Sequence, residues 1–341
     1  MPSSIFNSSA RVPLGSLTAP WIGAVAVAAS LLGALEATYR AHGQQPRADD
    51  SPGVLALVAE RAKSAGPDAI VLTGSSRMLL DVDAPALTAA LGGRKVFQLA
   101  QNGISCLPVL EQLVLETRFA GTVICGTEPT SLFGIHERDR ERTGEPRLRL
   151  PELTWASRFN VVAGIYMEER LAILGRDPRT VGRSLLGFRP WPPPERSART
   201  LDRVSRVGLA TEDTAAADRR WAELFETGGG RSTTSAELGA TTEYLNALVR
   251  RFASRGGRVI WIELPSSGRT RAVEDRRYPR ERYWEWFAGH IEPGVSAFSV
   301  HDDPALDAFK CPDGSHLDPS DAPAFTRELA GALLHRKLLR S

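Results

Sequence analysis

Short apolar runs rich in branched residues recur along the chain, separated by longer stretches that are apolar on one face only. "AIVLTG" (69–74), "KVFQLA" (95–100), "GTVICG" (121–126) and "RVIWIEL" (258–264) read as buried strands, with "VSAFSV" (295–300) a weaker fifth. Helical patterns lie at 53–64, 84–91, 108–117, 234–255 and 281–289, and "APAFTRELAGALLHRKLL" supplies a last one from residue 322. Alternation of this kind predicts an α/β fold, a parallel five-stranded sheet with helices on both faces. Ligands of such sheets sit beyond the carboxyl ends of the strands.

Two regions break the alternation. From Leu14 to Leu35 the chain carries no charge over 22 residues, enough to cross a hydrocarbon core of roughly 30 Å. Trp21 and Tyr39 suit the interfacial zones, and neither a basic cluster before the run nor a small-x-small site after it marks a cleaved signal. The expected organisation is a tail (1–13), one transmembrane signal anchor (14–38), a polar linker (39–50) and a domain over 51–341. Arg11 before the run, against Arg40 and Arg47 after it, does not fix orientation. The second break is an insertion of about 131–235, far longer than an ordinary crossover. It holds helix-like pieces at 159–175 and 213–226, a stiff "RPWPPPE" and a flexible "TGGGRSTTS". A lid or docking surface fits it, and so does a poorly ordered segment.

Composition is globular: 42% apolar and 24% charged over 341 residues, with a net charge of +2 that gives no reason to expect nucleic acid. Only four of the 42 basic residues are lysines (Lys63, Lys95, Lys310 and Lys337), a bias that reads as coding preference. Three cysteines, Cys106, Cys125 and Cys311, make no disulfide framework, and no metal-ligand spacing occurs. Neither metal nor cofactor is expected.

The candidate chemistry lies at the ends of strands. "IVLTGSSRMLL" (70–80) stops an apolar run at Gly74 and follows it with two hydroxyls and a cation, either plain punctuation or a nucleophile turn. Near the other end, "CPDGSHLDPSD" puts Asp313 and His316 three apart before the last helix. A histidine acting as general base needs a carboxylate on its far nitrogen, and one turn of chain allows that contact. Alone, Asp-x-x-His is a weak signal, because an N-cap and a surface histidine leave the same trace.

Taken in order, "TGSSR", "QLAQNGIS" and "DGSHLD" resemble the ordered blocks of the SGNH (GDSL-like) hydrolase superfamily, over roughly residues 66–130 and 255–335. The resemblance implies a flavodoxin-like three-layer sandwich. It implies Ser76 as nucleophile, with Ser75 the second choice, and Asp313 and His316 as the terminal catalytic pair. It implies an oxyanion hole from the amides of Ser76 and Gly103. The single anchor, "GSSR" and "DGSHL" are similar to anchored proteins of cell-envelope polymer acylation. That likeness implies a single-pass protein of the cytoplasmic membrane, its domain facing the periplasm. It implies acyl, chiefly acetyl, transfer or removal on a polysaccharide or glycolipid, beside a multi-pass membrane O-acyltransferase. A catalytically inactive scaffold that binds polysaccharide or such a partner is the alternative.

One block departs from the family. Its Gly-x-Asn-Asp is "GTEP" here, so Glu128 stands where an amide donor is expected. A carboxylate facing an oxyanion would repel it, and one lost donor costs about 3 kcal/mol. Either Glu128 points elsewhere or Asn102, beside Gly103, supplies the amide. Arg77, Tyr278 and Arg280 are expected substrate contacts, since aromatic faces and arginine forks suit sugars and acidic groups. The competing reading of 263–287 is a helix with its aromatics in the core. His136, His290 and His301 match no motif. The fold would bring Cys106 and Cys311 to one edge, as a disulfide or as two packed thiols.

Overall fold

The computed structural model describes residues 18–46, 48, 51–135, 153–175, 182–184, 186–188, 191, 197–199, 203, 205–207, 213–227 and 231–339. The 1–13 tail, His136 and most of the "RPWPPPE" and "GGG" breaks fall outside them. Two compact units emerge: Met1–Arg47 with Met167–Glu195, and Ala48–Tyr166 with Arg196–Ser341.

The larger unit is built on five parallel strands: β1 (Ile70–Thr73), β2 (Val96–Gln98), β3 (Thr122–Thr127), β4 (Arg258–Glu263) and β5 (Ser296–Ser299). They are ordered β2-β1-β3-β4-β5. All five apolar runs of the sequence are strands, with ends within two residues of those read from the sequence. The chain leaves β1 toward β2 and then returns to β1's other side as β3, so the carboxyl ends of β1 and β3 flank the switch in winding direction.

Strand residues alternate between two cores because their side chains alternate in direction. Val71, Phe97, Val123, Cys125, Val259 and Trp261 pack against α2 (Pro52–Lys63), α5 (Leu107–Glu116) and the helix Ser235–Ala253. Ile70, Leu72, Ile124, Ile260, Ile262 and Phe298 pack against α3 (Ser76–Asp81), α4 (Ala84–Ala90) and the last helix, Ala322–His335. Each such side chain contributes roughly 1.5–3 kcal/mol on full burial. The layering is helix, sheet, helix.

Local signals set the helix ends. Ser51 and Asp83 cap α2 and α4, each followed by a residue pair containing proline in the first turn. Thr234 and Glu237 form a reciprocal capping box on Ser235–Ala253. Besides the short helices Pro129–Phe133 and Pro304–Asp307, two helices that bear on the site escape the hydrophobic pattern. One is α3, only six residues long; the other is Gly268–Arg277, "GRTRAVEDRR", which buries only Thr270, Val273 and Glu274.

The three cysteines are free and buried. Cys106 packs with Cys125 in one core, whereas Cys311 lies in the other, across the sheet. A Cys106–Cys311 bridge is therefore excluded, and the packed-thiol reading holds.

In the smaller unit, α1 (Thr18–Ala41) is long and apolar enough to cross a membrane, and Tyr39 is its one buried residue.

Candidate active site

The turn after β1 is shaped by contact between two glycines. Gly74 adopts φ +150°, and a Cβ there would sit 2.7 Å from the carbonyl oxygen of Gly126 at the end of β3. Only glycine meets both demands. Ser75 then caps α3, its Oγ accepting the Arg77 N–H at 3.3 Å. Ser76 opens the helix, half-buried, with Oγ 2.9 Å from Nε2 of His316. The two hydroxyls thus divide the work: Ser75 shapes the turn and Ser76 meets the imidazole.

The other imidazole nitrogen, Nδ1, lies 2.9 Å from Oδ2 of Asp313. Oδ1 of that carboxylate accepts the N–H groups of Ser315 (2.8 Å) and His316 (2.7 Å). Burial pushes the Asp313 pKa up, but the His316 contact and these N–H bonds outweigh it and hold the carboxyl below its usual range. An ionised Asp313 requires the proton on Nδ1, which leaves Nε2 to accept from Ser76.

Neighbouring elements fix the turn that carries the pair. Gly314 has φ +83°, and a Cβ there would meet Asp218 Oδ1 at 2.1 Å. Asp218, in the insertion helix Thr214–Thr227, also accepts the N–H groups of Arg269 and Thr270, both at 3.0 Å, at the start of Gly268–Arg277. From the same helix, Trp221 places its ring edgewise 5.5 Å from that of His316. The described part of the insertion therefore contributes a wall to the site.

Asp81, the last residue of α3, is fully buried and accepts the Leu317 N–H at 2.9 Å, tying the helix of the serine to the turn of the histidine. Among the described residues its Oδ2 has no hydrogen-bond partner. Burial raises its pKa to about 7, against the pull of His316 and the Leu317 N–H.

Arg77 does not reach outward. It is 1% exposed, forks onto Glu274 (2.6 and 3.4 Å) and donates through Nε to Ser315 Oγ at 3.3 Å. Burial opposes its charge, but Glu274 and Glu128 raise its pKa overall. The expected substrate contact is corrected here: the side chain is an internal strut joining α3, Gly268–Arg277 and the histidine turn.

Glu128 follows β3 and is buried to 8% exposure. It stands two residues after Gly126, as Ser76 stands two after Gly74. Burial raises its pKa, partly offset by Arg77, while Glu274 adds to the rise and His316 opposes it. Its side chain takes part with Ser131 in the capping box that opens the helix Pro129–Phe133, and the charges of Arg77 and His316 act on it there. Asn102 and Gly103 occupy an exposed turn that follows β2, tied to the β1 turn by the Gln101 N–H to the Gly74 carbonyl (2.9 Å) and Thr73 Oγ1 to the Cys106 carbonyl (3.3 Å).

The remaining candidates lie in the packing of the fold. Tyr278 is 3% exposed, against Phe133 and Tyr283, which is the core reading of that segment. Arg280 donates from Nη2 to both carboxylate oxygens of Asp302 (both 2.6 Å) and approaches Glu263. His301 bonds Asp307 and His290 stacks on Trp286. Among the described residues, no cluster of His, Cys, Asp or Glu could hold a metal ion.

Sequence reasoning misses Trp221, Asp218, Glu274 and Asp81. Asp81 alone leaves a local trace, an acid closing the apolar "RMLLD". The others are joined to the site only by the tertiary fold. No protein-family model matches the chain, and no curated protein matches it significantly, so the site is known by its geometry.

Proposed function

We propose that the protein carries out serine-dependent acyl-ester chemistry of the SGNH type. The observation that supports this reading is the unbroken chain Ser76 Oγ–His316–Asp313, with both links at 2.9 Å. His316 takes the hydroxyl proton as Ser76 attacks an ester carbonyl. The tetrahedral oxyanion is held by the amides of Ser76 and Gly103, with Asn102 as side-chain donor. Protonated His316 then returns its proton to the leaving alcohol, and an acyl-serine remains for water or an acceptor hydroxyl. No metal or cofactor enters these steps.

The acceptor is a polysaccharide or glycolipid of the cell envelope, the acyl group is acetyl, and a multi-pass membrane O-acyltransferase is the partner. The helix that carries Trp221 forms, with Gly268–Arg277, a groove of about 420 Å³ whose floor is Ala222, Ala272 and Val273 and whose rim is Arg219, Arg269 and Arg276, a rim suited to the polar groups of a polymer. We read α1 as a single membrane span, and the likeness to anchored proteins of envelope polymer acylation is the ground for setting the domain on the periplasmic face. Alkaline phosphatase fused after residue 341 should then be active, and a cytoplasmic reporter silent.

The decisive experiment is mass spectrometry after incubation with an activated acetyl ester. An acetyl adduct on Ser76, lost in Ser76→Ala and retained in Ser75→Ala, is the expected result. One observation favours the alternative of an inactive binding scaffold: buried Glu128 stands where a hydrogen-bond donor is needed. No adduct on the wild-type chain, with retained binding of polysaccharide, would decide for that reading.

A further inference from the structure

The apolar stretch of α1 ends at Leu35, and Glu36 is its first charge. The Glu36 carboxylate accepts the N–H groups of Ala172 (2.9 Å) and Ile173 (3.0 Å), at the start of the short 3₁₀ turn Ala172–Gly175. One turn further on, Arg40 donates to Glu36 (2.7 Å) and to the carbonyl of Arg170 (2.8 Å). Ala172 is buried against Tyr39, with Ile173 and Trp191 packed around them. The Trp191 ring stacks on His42 at 4.0 Å. Residues 170–175 and Trp191 are thus fastened to the last two turns of α1 and the residue just beyond.

That attachment fixes a depth. The uncharged part of α1, from Thr18 to Leu35, spans about 27 Å at 1.5 Å per residue, close to the roughly 30 Å of a hydrocarbon core, so Glu36 to Ala41 emerge at headgroup level. Whatever is fastened to them lies at the same level. There the unit exposes Leu171 (37%) and Leu174 (45%), and it also exposes Leu186 (71%) and Phe188 (76%). Isolated exposed leucines are ordinary, but apolar side chains beside a membrane helix have a solvent other than water. The charge agrees. From Arg170 to Trp191 the sequence carries five arginines against a single acid, Asp177, while the whole chain is only +2.

We propose that this collar lies in the headgroup layer of the anionic bilayer that α1 enters, with Leu171, Leu174, Leu186 and Phe188 at the acyl boundary. The proposal rests on the reading of α1 as a membrane span. The collar supplies a second, interfacial attachment at the mouth of the first. Clustered arginine attracts anionic headgroups, and leucine with an aromatic ring supplies the buried apolar area of an interfacial segment.

The test uses the full chain in vesicles of phosphatidylcholine, alone or mixed with phosphatidylglycerol. The native thiols are buried, so fluorophores attach selectively at Leu174→Cys, Phe188→Cys, Val27→Cys and the exposed Arg251→Cys. Nitroxide lipids carrying the spin label shallow or mid-chain then report depth. The expected result is mid-chain quenching at position 27 and shallow quenching at 174 and 188. The latter should exceed that at 251 by at least about twofold and be stronger with phosphatidylglycerol. Quenching at 27 with none at 174 or 188 above the level of 251 overturns the collar and leaves the span intact. Such a result would assign the exposed residues to a protein partner. No quenching at 27 overturns the span and the collar together. Equal quenching at 174 and 188 in both vesicles overturns the assignment to anionic lipid.

Discussion

Trp221 sets the edge of its indole against the imidazole of His316, ring centroids 5.5 Å apart and planes 69° to one another. The two residues come from the insertion and from the last turn before the final helix. Phe225, one turn on, stacks on Trp221 and lies under the Arg77 guanidinium. The insertion thus shields the flank of the base, and an acyl-serine formed there would have restricted water on that side.

Trp221→Ala should therefore alter the fate of the acyl group more than its loading. Acylation of Ser76 by a small activated ester should stay within a few-fold. The ratio of hydrolysis to transfer onto an added alcohol should rise about tenfold. Product analysis by chromatography gives both yields from one reaction. An unchanged ratio would reduce Trp221 to a packing residue.

The Arg77–Glu274 pair, 1% and 2% exposed, should behave as a buried ion pair. Arg77→Met strands a carboxylate in the core and should cost about 3–5 kcal/mol in urea denaturation. Replacing both partners, Arg77→Met with Glu274→Leu, should recover most of that loss. A double variant no better than the single one would mean that Ser315 and Ser266, which also bond this pair, matter more than its charge balance.

Asp81 makes stability depend on pH in an unusual direction. Its carboxyl holds a proton to about pH 7 when folded, against about 3.9 in the unfolded chain. Between those values the native state binds more protons, so this group's contribution falls as pH rises from about 4 to about 7. Asp313 acts the other way: its stabilisation is full above the ordinary carboxylate pKa and disappears as pH falls through its lowered value. Asp81→Asn mimics the neutral acid and should flatten the decline, so melting temperatures near pH 5 and pH 7.5 should converge. Variant and wild-type melting curves of the same slope against pH would contradict it.

Glu128→Gln tests the departure at the oxyanion position. Glutamine offers a neutral donor where glutamate, once ionised, offers a repelling charge. The acylation burst should quicken by about tenfold above neutrality, with the gain shrinking as pH falls and wild-type Glu128 becomes protonated. A gain independent of pH would show that the carboxyl does not face the reacting oxygen.

Much of this site is legible from the sequence because its parts are local. A strand ending in glycine and two serines, and an aspartate one turn before a histidine, are each readable within a few residues. The five strands are readable as well, since buried parallel strands are nearly continuous apolar runs. Other features require the folded chain. Gly268–Arg277 is mostly charged, and its apolar face is too narrow to mark a helix. Arg77 resembles a ligand-facing cation until Glu274, almost two hundred residues later, is seen to neutralise it. Tyr278 and Arg280 stand in an aromatic, basic run that suits sugars, yet Phe133 and Asp302 occupy them. In each case the missing information is a partner distant in sequence.

The separation of 240 residues between Ser76 and His316 also bears on how the protein is made. At elongation speeds of roughly 5–20 residues per second, Ser76 is synthesised about 12–48 s before His316. During that interval β1 to β4 can pair, but Asp218 has no Gly314 turn to support and Asp81 has no Leu317 to hold. On the serine-ester reading proposed above, the growing chain would carry only an unassisted hydroxyl, and reactivity would begin when the histidine turn docks.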